Sequence, residues 1–246
     1  MDVAAALSRS YLFEDLTLDA LRPLAAVASI RRLKPGEQLF RIGDPADELY
    51  VVVRGELKDT VVNVDGDEIV HLIHGPGQTV GEPGFFSVDR NRIVQVSAVE
   101  PSVLVRLARR ELTPFMNRHP IVKDRALEGL AAATRWQTTM ISSLTTRPLI
   151  NRLVLQLLEL AETNAAHDAG QVPRTPKISQ STLAAMVGVS RENVNRALAA
   201  LIAKGSIRRE GGRCVLIDEP ALRREASRDW LVASRRDKRA RTDGAV

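Results

Sequence analysis

The fold of this chain is indicated most clearly by residues 187–196, which read VGVSRENVNR. Gly188 can adopt the left-handed conformation that ends one helix, and Ser190 can cap the next helix. Apolar residues at helical spacing lie on both sides, in a first helix capped by Ser179 and a second helix that ends at Gly205. A helix, a short glycine turn and a second helix predict a DNA-binding helix-turn-helix.

The second predicted helix has an apolar stripe on one face and polar residues at the N-terminal end of the opposite face. These polar residues are Arg191, Glu192, Asn195 and Arg196. The N-terminal end of a recognition helix enters the major groove, so we expect these side chains to face base edges. Arginine can donate to O6 and N7 of guanine, and glutamate can accept from N4 of cytosine. With the capping residues Ser179 and Ser190, they form the predicted DNA-binding surface.

A β-hairpin is predicted directly after the second helix. Residues 207–210 and 213–217 have strand character and flank Gly211-Gly212, a dipeptide typical of two-residue hairpin turns. Three arginines of this wing are expected to contact DNA phosphates: Arg208, Arg209 and Arg213. We therefore predict a winged helix-turn-helix over residues 146–220. A helical hairpin with a solvated face explains any single piece, but not their ordered series.

The first half of the chain has a different pattern. From about residue 31, short β-rich runs alternate with glycines, which indicates many short strands joined by turns. Every second residue is apolar in 103–107, as a half-buried strand requires. Residues 1–30 instead have leucines at helical spacing. We predict a β-roll (jelly-roll) domain over residues 1–108, and the α+β fold class for the whole chain.

Residues 109–145 have the pattern of a long helix with a break near His119-Pro120. Positions three and four residues apart form an a/d seam typical of a coiled coil. The seam consists of Leu127, Leu130, Thr134, Gln137, Ile141 and Leu144. It predicts a homodimer through this helix, with packing against the chain's own domain as the alternative. A further helix opens at Pro148, and residues 167–177 are expected to form a loop.

The basic residues are concentrated near the C-terminus. Residues 171–246 contain 16 Lys+Arg and 8 Asp+Glu, a net charge of +8, whereas residues 1–170 contain 19 and 22, a net charge of −3. Together they give the chain's net charge of +5. A basic end favours a polyanionic partner such as double-stranded DNA, although a solubilising tail is the alternative. Residues 221–246 are predicted to be a basic extension without fixed structure.

Several classes of protein and site are disfavoured. The lone Cys214 excludes an internal disulfide or a four-cysteine cluster, and His71 and His74 have no other metal-ligating residue at a suitable spacing, so no metal is expected. No run of 18 apolar residues and no secretory signal occurs, so we expect a cytoplasmic protein that does not enter the membrane. No catalytic motif such as a phosphate loop or nucleophile elbow appears, so no enzyme is expected.

Over about residues 10–220 the chain resembles the Crp/Fnr family of transcription regulators. The most specific motif is residues 187–196, where a Ser-Arg-Glu opening is followed by a second arginine. Residues 39–44 (LFRIGD) and the run from Leu49 to Gly55 are similar to the family's β-roll signature. The resemblance implies a sensor domain and a small effector. It also implies a regulator of transcription, for which RNA polymerase is a further partner.

The resemblance also implies a target sequence. Arg191 and Arg196 would read guanines and Glu192 a cytosine, in palindromes of TGTGA-like half-sites. Half-sites one helical turn apart, about 34 Å, require a two-fold dimer. A weakly selective architectural DNA-binding protein is the alternative, because a basic end and a wing would serve it equally well.

A third motif is similar to the family's phosphate-binding cassette, with VGEPGFF at residues 80–86 followed by Arg92-Ile93-Val94. The resemblance implies that Glu82 contacts a ribose and Arg92 a phosphate; a surface arginine in a β-loop is the alternative for Arg92. The full set of expected effector contacts is Gly81, Glu82, Gly84, Arg92, Ile93, Gln137 and Thr138.

The cassette departs from the family pattern at three positions: Ile93-Val94 replaces the usual Ser-Ala or Thr-Ala, and Pro83 is the third. Ile93 lacks the hydroxyl that helps to hold the phosphate, and Pro83 removes one N–H donor. One lost hydrogen bond to a charged group costs about 1.5–3 kcal/mol. Cyclic AMP is one expected effector because the motif resembles the cassette. Another small molecule or none is the alternative because of these departures. No cofactor is required.

Overall fold

The computed structural model of the chain describes residues 1–62, 68–165 and 172–227. The helices of this part are α1 (Val3–Leu7), α2 (Leu18–Val27), α3 (Glu82–Phe86), α4 (Arg109–Arg118), α5 (Pro120–Thr146), α6 (Leu149–Ala165), α7 (Gln180–Val187), α8 (Arg191–Ala203) and α9 (Glu219–Ser227). The strands are β1 (Ser29–Leu33), β2 (Gln38–Phe40), β3 (Glu48–Arg54), β4 (Leu57–Val62), β5 (Glu68–His74), β6 (Thr79–Val80), β7 (Gln95–Ala98), β8 (Ser102–Ala108), β9 (Ile207–Glu210) and β10 (Arg213–Leu216). None of these helices combines the length and apolar character needed to cross a bilayer.

The N-terminal domain is a roll of two four-stranded antiparallel sheets. Their strand orders are β1-β8-β3-β6 and β2-β7-β4-β5. Apolar side chains from both sheets, including Phe40, Val96 and Leu104, form one buried cluster. A second cluster joins the outer face of the first sheet to α1, α2 and α4. The predicted α+β fold class with an N-terminal β-roll is confirmed.

The structure corrects the sequence-based account of this domain in two places. Residues 1–30 were expected to be helical, but β1 already begins at Ser29. The two-residue strand β6 was not predicted, because two residues are too few to show an alternating pattern. It is defined by its pairing with Tyr50 and Val51 of β3 instead.

Two helices connect the domains. α4 ends at Arg118, and α5 begins at Pro120 and continues for 27 residues. The backbone of His119 is non-helical, which separates the two helices at the predicted break. On α5 the seam residues Leu127 and Ile141 are 65% and 68% exposed. The apolar seam is therefore not covered by the chain's own domains at these positions.

The C-terminal domain has its own core. Leucines of α6, including Leu153 and Leu157, are packed with Leu198 and Leu201 of α8. Helix α9 contacts α6, and its Leu222 is buried in the same core. The prediction of an extension without fixed structure is therefore wrong for residues 221–227, because this amphipathic segment has an apolar surface to pack on. Residues 228–246 of that prediction lie outside the described residues.

The two domains are joined by an apolar contact. Strand β5 of the roll packs against α7, the first helix of the helix-turn-helix. Val70 and Ile73 of β5 are buried in the same cluster as Leu183 and Val187 of α7. Part of the β-roll surface thus completes the core of the DNA-binding domain.

The turn before β4 supplies a stability prediction. Gly55 has φ +89°, and a Cβ atom there would lie 2.3 Å from Ser102 Oγ and 2.7 Å from the Pro101 carbonyl oxygen. We expect Gly55→Ala to lower the free energy of unfolding by about 3 kcal/mol, from a backbone cost of about 1–2 kcal/mol and an overpacking cost of about 1–3 kcal/mol. Urea denaturation measures this change.

Gly36→Ala is the matched control. Gly36 has a similar φ of +77°, but no atom lies within 4 Å of the added Cβ. We expect only the backbone cost of about 1–2 kcal/mol. Equal losses in the two variants would contradict the steric role assigned to Gly55.

Candidate functional site

The helix-turn-helix is fixed by two serine caps and one glycine. The Ser179 hydroxyl accepts a hydrogen bond from the backbone N–H of Thr182 at 2.9 Å, and the Ser190 hydroxyl accepts one from Asn193 at 3.4 Å. Gly188 ends α7 with φ +66°. These contacts satisfy backbone donors at the start of each helix and fix the angle at which α8 leaves the turn.

Helix α8 has one buried face and one exposed face. Its buried residues are Val194, Ala197, Leu198 and Leu201. Arg191, Glu192 and Arg196 are exposed at or near its N-terminal end. Arg196 donates to the side-chain oxygen of Asn193. The structure thus brings three of the four predicted base-reading side chains to one accessible surface.

Asn195 differs from these three residues. It is only half exposed, and its side-chain oxygen is buried without a hydrogen-bond partner among the described residues. Its carbonyl group faces the protein, because Asn195 lies beside the buried stripe of α8. The prediction that Asn195 reads bases is therefore not supported by this arrangement.

The electrostatics of Glu192 suit a hydrogen-bond acceptor. Its own backbone N–H and the Ser190 hydroxyl, with the charges of Arg191 and Arg196, lower the pKa of the Glu192 carboxyl. Negative charge is also favoured in the first turn of a helix. Glu192 is therefore a carboxylate near neutral pH and can accept from an amino group such as cytosine N4.

The wing arginines do not all point outward. Arg208 is exposed and pairs with Glu210 on its own strand, at 2.6 Å. Arg209 lies opposite the buried Cys214 in the hairpin, and its Nη1 atom is buried. Arg213 donates to the Thr175 carbonyl oxygen at 3.1 Å. Both side chains thus have atoms turned toward the protein, and the phosphate contacts of Arg209 and Arg213 stay a prediction.

In the β-roll, Arg92 lies beneath the cassette instead of on the surface. It is 3% exposed and donates to the carbonyl oxygens of Gly81 at 3.1 Å and Glu48 at 2.7 Å. Its guanidinium carbon lies 4.1 Å from the ring centre of Phe40, a cation–π contact. The alternative of a surface arginine is therefore wrong.

The side chain of Glu82 also has hydrogen-bond partners within the protein. Its Oε1 accepts from the Tyr11 hydroxyl at 3.1 Å and from the Thr79 hydroxyl. Burial and the charge of Glu82 raise the pKa of Tyr11, so the phenol stays protonated and donates. The Tyr11 ring lies against α5, where a Cβ on Gly129 would come within 2.6 Å of its hydroxyl. Sequence reasoning missed Tyr11 and Thr79.

Of the remaining predicted effector contacts, one lies in the cassette helix and the other three are exposed. Gly84 lies in the cassette helix α3, packed against the Asn91 carbonyl. Ile93 is 57% exposed, whereas the adjacent Arg92 is buried. Gln137 and Thr138 are exposed on α5. The structure brings Gly81, Glu82, Gly84 and Arg92 together, but not Ile93, for which it gives no contact role.

The comparisons with known proteins agree with this architecture. Residues 30–119 match the model of the cyclic nucleotide-binding domain, and residues 151–225 match that of the Crp-like helix-turn-helix domain. The chain is 30% identical over 230 residues to the CRP-like cAMP-activated global transcriptional regulator of Mycobacterium tuberculosis, covering 89% of this chain and 98% of the relative. It is 31% identical over 196 residues to the cyclic AMP receptor protein of Thermus thermophilus, covering 79% and 87%.

A solved structure gives the same result. The c-di-GMP responsive global regulator CLP of Xanthomonas campestris superposes with a TM-score of 0.64 at 26% identity, covering 81% of this chain and 99% of that one. Similarity thus extends over both domains and nearly the whole length of each relative. The chain belongs to the Crp/Fnr family of transcription regulators.

Proposed function

We propose that this DNA-binding transcription regulator acts as a dimer on palindromic sites with TGTGA-like half-sites. The observation that carries the proposal is the exposed N-terminal face of α8, with Arg191, Glu192 and Arg196 on one surface. In this assignment Arg191 and Arg196 donate to guanines and Glu192 accepts from cytosine. Arg208 contacts a phosphate, and the proposal includes no enzymatic activity.

The dimer is proposed to form through α5. The exposed apolar side chains of Leu127 and Ile141 support this, because burying them against a second copy removes apolar surface from water. Two-fold pairing would also present two α8 helices to two half-sites about 34 Å apart. Residues 1–108 are then the sensor, residues 109–145 the dimerisation region and residues 146–220 the DNA-binding domain.

We propose a cyclic nucleotide as the class of effector to test first. The relatives named above are described as cAMP-activated, as a cyclic AMP receptor and as responsive to c-di-GMP. A buried arginine and a buried carboxylate in the cassette, Arg92 and Glu82, have the chemistry to bind a phosphate and a ribose hydroxyl. RNA polymerase is the proposed partner in transcription.

A regulator that needs no nucleotide is the second candidate. The internal hydrogen bonds of Arg92 and Glu82 favour it, because a nucleotide would have to replace those bonds. The Nε atom of Arg92 is the exception: it is buried without a hydrogen-bond partner among the described residues. An exchange of one hydrogen bond for another contributes little net free energy. The two candidates differ in whether cyclic AMP changes the affinity for DNA.

Fluorescence anisotropy tests both points. A labelled TGTGA-N6-TCACA duplex is compared with a scrambled duplex, each with and without saturating cyclic AMP. Preference for the palindrome supports the proposed function, and equal affinity for both duplexes would show an architectural protein instead. Tighter specific binding with cyclic AMP supports the first candidate, and no change supports the second.

Arg196→Ala tests base reading. Loss of a bidentate contact to guanine should cost about 1–3 kcal/mol on the palindrome and relax the choice of base at that position. Anisotropy with duplexes substituted at each position measures both effects. Arg208→Ala is the matched control: losing a phosphate contact should weaken binding about equally on all duplexes. A uniform loss for Arg196→Ala would refute its base-reading role.

A double variant, Leu127→Glu with Ile141→Glu, tests the dimer. Two buried carboxylates facing their symmetry mates should separate the chains, because charge burial and like-charge repulsion oppose pairing. Sedimentation velocity should show a monomer where the unchanged chain is a dimer. Ala132→Glu adds a charge at an exposed position of α5 off the seam and should leave the dimer intact. A dimer that persists in the double variant would exclude this interface.

A further inference from the structure

Glu56 is a β-roll residue whose side chain is buried by the DNA-binding domain. It lies between Gly55 and the first residue of β4, and its side chain is 5% exposed. Its Oε1 atom accepts a hydrogen bond from the backbone N–H of Lys177 at 3.2 Å and lies 3.6 Å from Nη1 of Arg213. Both partners belong to the DNA-binding domain, so this carboxyl group lies at the contact between the domains.

The backbone at Glu56 is held firmly in the roll. Its carbonyl oxygen accepts from the backbone N–H of Val99 at 2.8 Å and from the Ser102 hydroxyl at 3.3 Å. The preceding Gly55 is packed so closely that a Cβ atom there would lie within 2.7 Å of atoms of both Pro101 and Ser102. The turn therefore cannot easily swing away, and the carboxyl group becomes solvated only when the DNA-binding domain moves off the roll.

The carboxylate form of Glu56 is poorly compensated in this position. Its Oε2 atom is buried without a hydrogen-bond partner among the described residues. Arg213 is shared, because the same Nη1 also donates to the Thr175 carbonyl oxygen. A carboxylate can accept about four hydrogen bonds, and among the described residues this one accepts a single one, from Lys177. The neutral carboxyl group needs less compensation when buried, so burial favours it over the charged form.

The DNA-binding domain is seated when it packs on the β-roll through the contact of α7 with β5. We propose that protonation of Glu56 controls this seating: the neutral carboxyl group favours the seated domain, and the carboxylate opposes it. The charged groups around it are Arg213 on β10, Lys177 in the segment before α7, and Glu100 between β7 and β8. Glu100 repels the carboxylate, whereas the other two attract it.

The direction of the pH effect follows from the pKa of Glu56. Burial raises that pKa from 4.5 to about 7, against the opposing effects of the Lys177 N–H and the charge of Arg213. In the unseated form the carboxyl group is solvated, so it is ionised throughout the range from pH 6 to 8. The seated form loses its proton over the same range. The seating equilibrium should therefore weaken by up to about tenfold between pH 6 and 8.

Seating also bears on the proposed DNA binding, and this step rests on the proposed function. Helices α7 and α8 share one core, so the contact of β5 with α7 also fixes α8 relative to the roll. The exposed face of α8 stays accessible while the domain is seated. A seated domain is pre-oriented, whereas an unseated one must lose orientational freedom when it binds DNA. DNA affinity should then fall as the pH rises.

Hydrogen exchange tests the seating directly, without DNA. The full chain is compared with Glu56→Gln, a neutral isostere, from pH 6 to 8, with rates corrected for the intrinsic pH dependence of exchange. We expect the amides of β5 and α7 to lose protection with rising pH in the unchanged chain, by up to about tenfold, and to keep it in the variant. Asp19→Asn removes a charge from a side chain that is 84% exposed and should behave like the unchanged chain.

The outcomes are distinct. Protection in the unchanged chain that does not vary with pH would overturn the proposal, even if Glu56→Gln failed to fold. An equal pH dependence in Glu56→Gln would also overturn it, and would assign the effect to another group such as His74 of β5, which pairs with Asp59 at 2.9 Å and is present in both proteins.

Anisotropy on the palindromic duplex gives the second measurement. We expect affinity to fall by up to about tenfold from pH 6 to 8 beyond any change in Glu56→Gln. If no chain prefers the palindrome, the proposed function fails while exchange still decides the role of Glu56. If exchange shows pH-dependent seating but both chains bind the palindrome with the same pH profile, the link from seating to DNA is wrong.

Discussion

The apolar contact between β5 and α7 holds the DNA-binding domain against the β-roll. Val70 and Ile73 belong to the roll by chain position, yet they are buried in the core of the DNA-binding domain. Separating the domains would expose Val70, Ile73 and the apolar face of α7 to water, so the contact is favoured by the hydrophobic effect. The polar groups of Glu56, at the edge of this contact, cannot supply comparable attraction, because its Oε2 atom is buried without a hydrogen-bond partner in the described part of the chain. Apolar packing thus holds the domains together, and the polar edge adjusts how firmly.

Much of the fold could be predicted because its signals are local. The caps at Ser179 and Ser190, the turn at Gly188 and the wing glycines act within a few residues of themselves, and the structure has each feature there. The contacts of the cassette and of the domain interface are different. Tyr11 and Glu82 are 71 residues apart, and Glu56 and Lys177 are 121 residues apart. No periodicity or spacing encodes such pairs, because tertiary folding alone brings them together.

The wing shows a similar limit at shorter range. Residue type indicated that three arginines would contact phosphate, but type does not say which side of a hairpin faces the protein. Arg209 lies opposite the buried Cys214 in the β9–β10 pair. The pairing of the two strands therefore decides which side of the hairpin the Arg209 side chain faces. The cassette is the converse case. The buried Arg92 has two carbonyl acceptors and the Phe40 ring around its guanidinium group, and these contacts lower the free-energy cost of burying its charge.

The missing side chain at Gly129 has a mechanical consequence. The Tyr11 phenol fits against α5 only because this one position of the helix surface is bare. A rotation of α5 about its axis by one residue, about 100°, would bring a neighbouring residue with a side chain into that place. The phenol would then be pushed from the Glu82 carboxylate. Such a turn of the long helix would therefore break a hydrogen bond inside the β-roll.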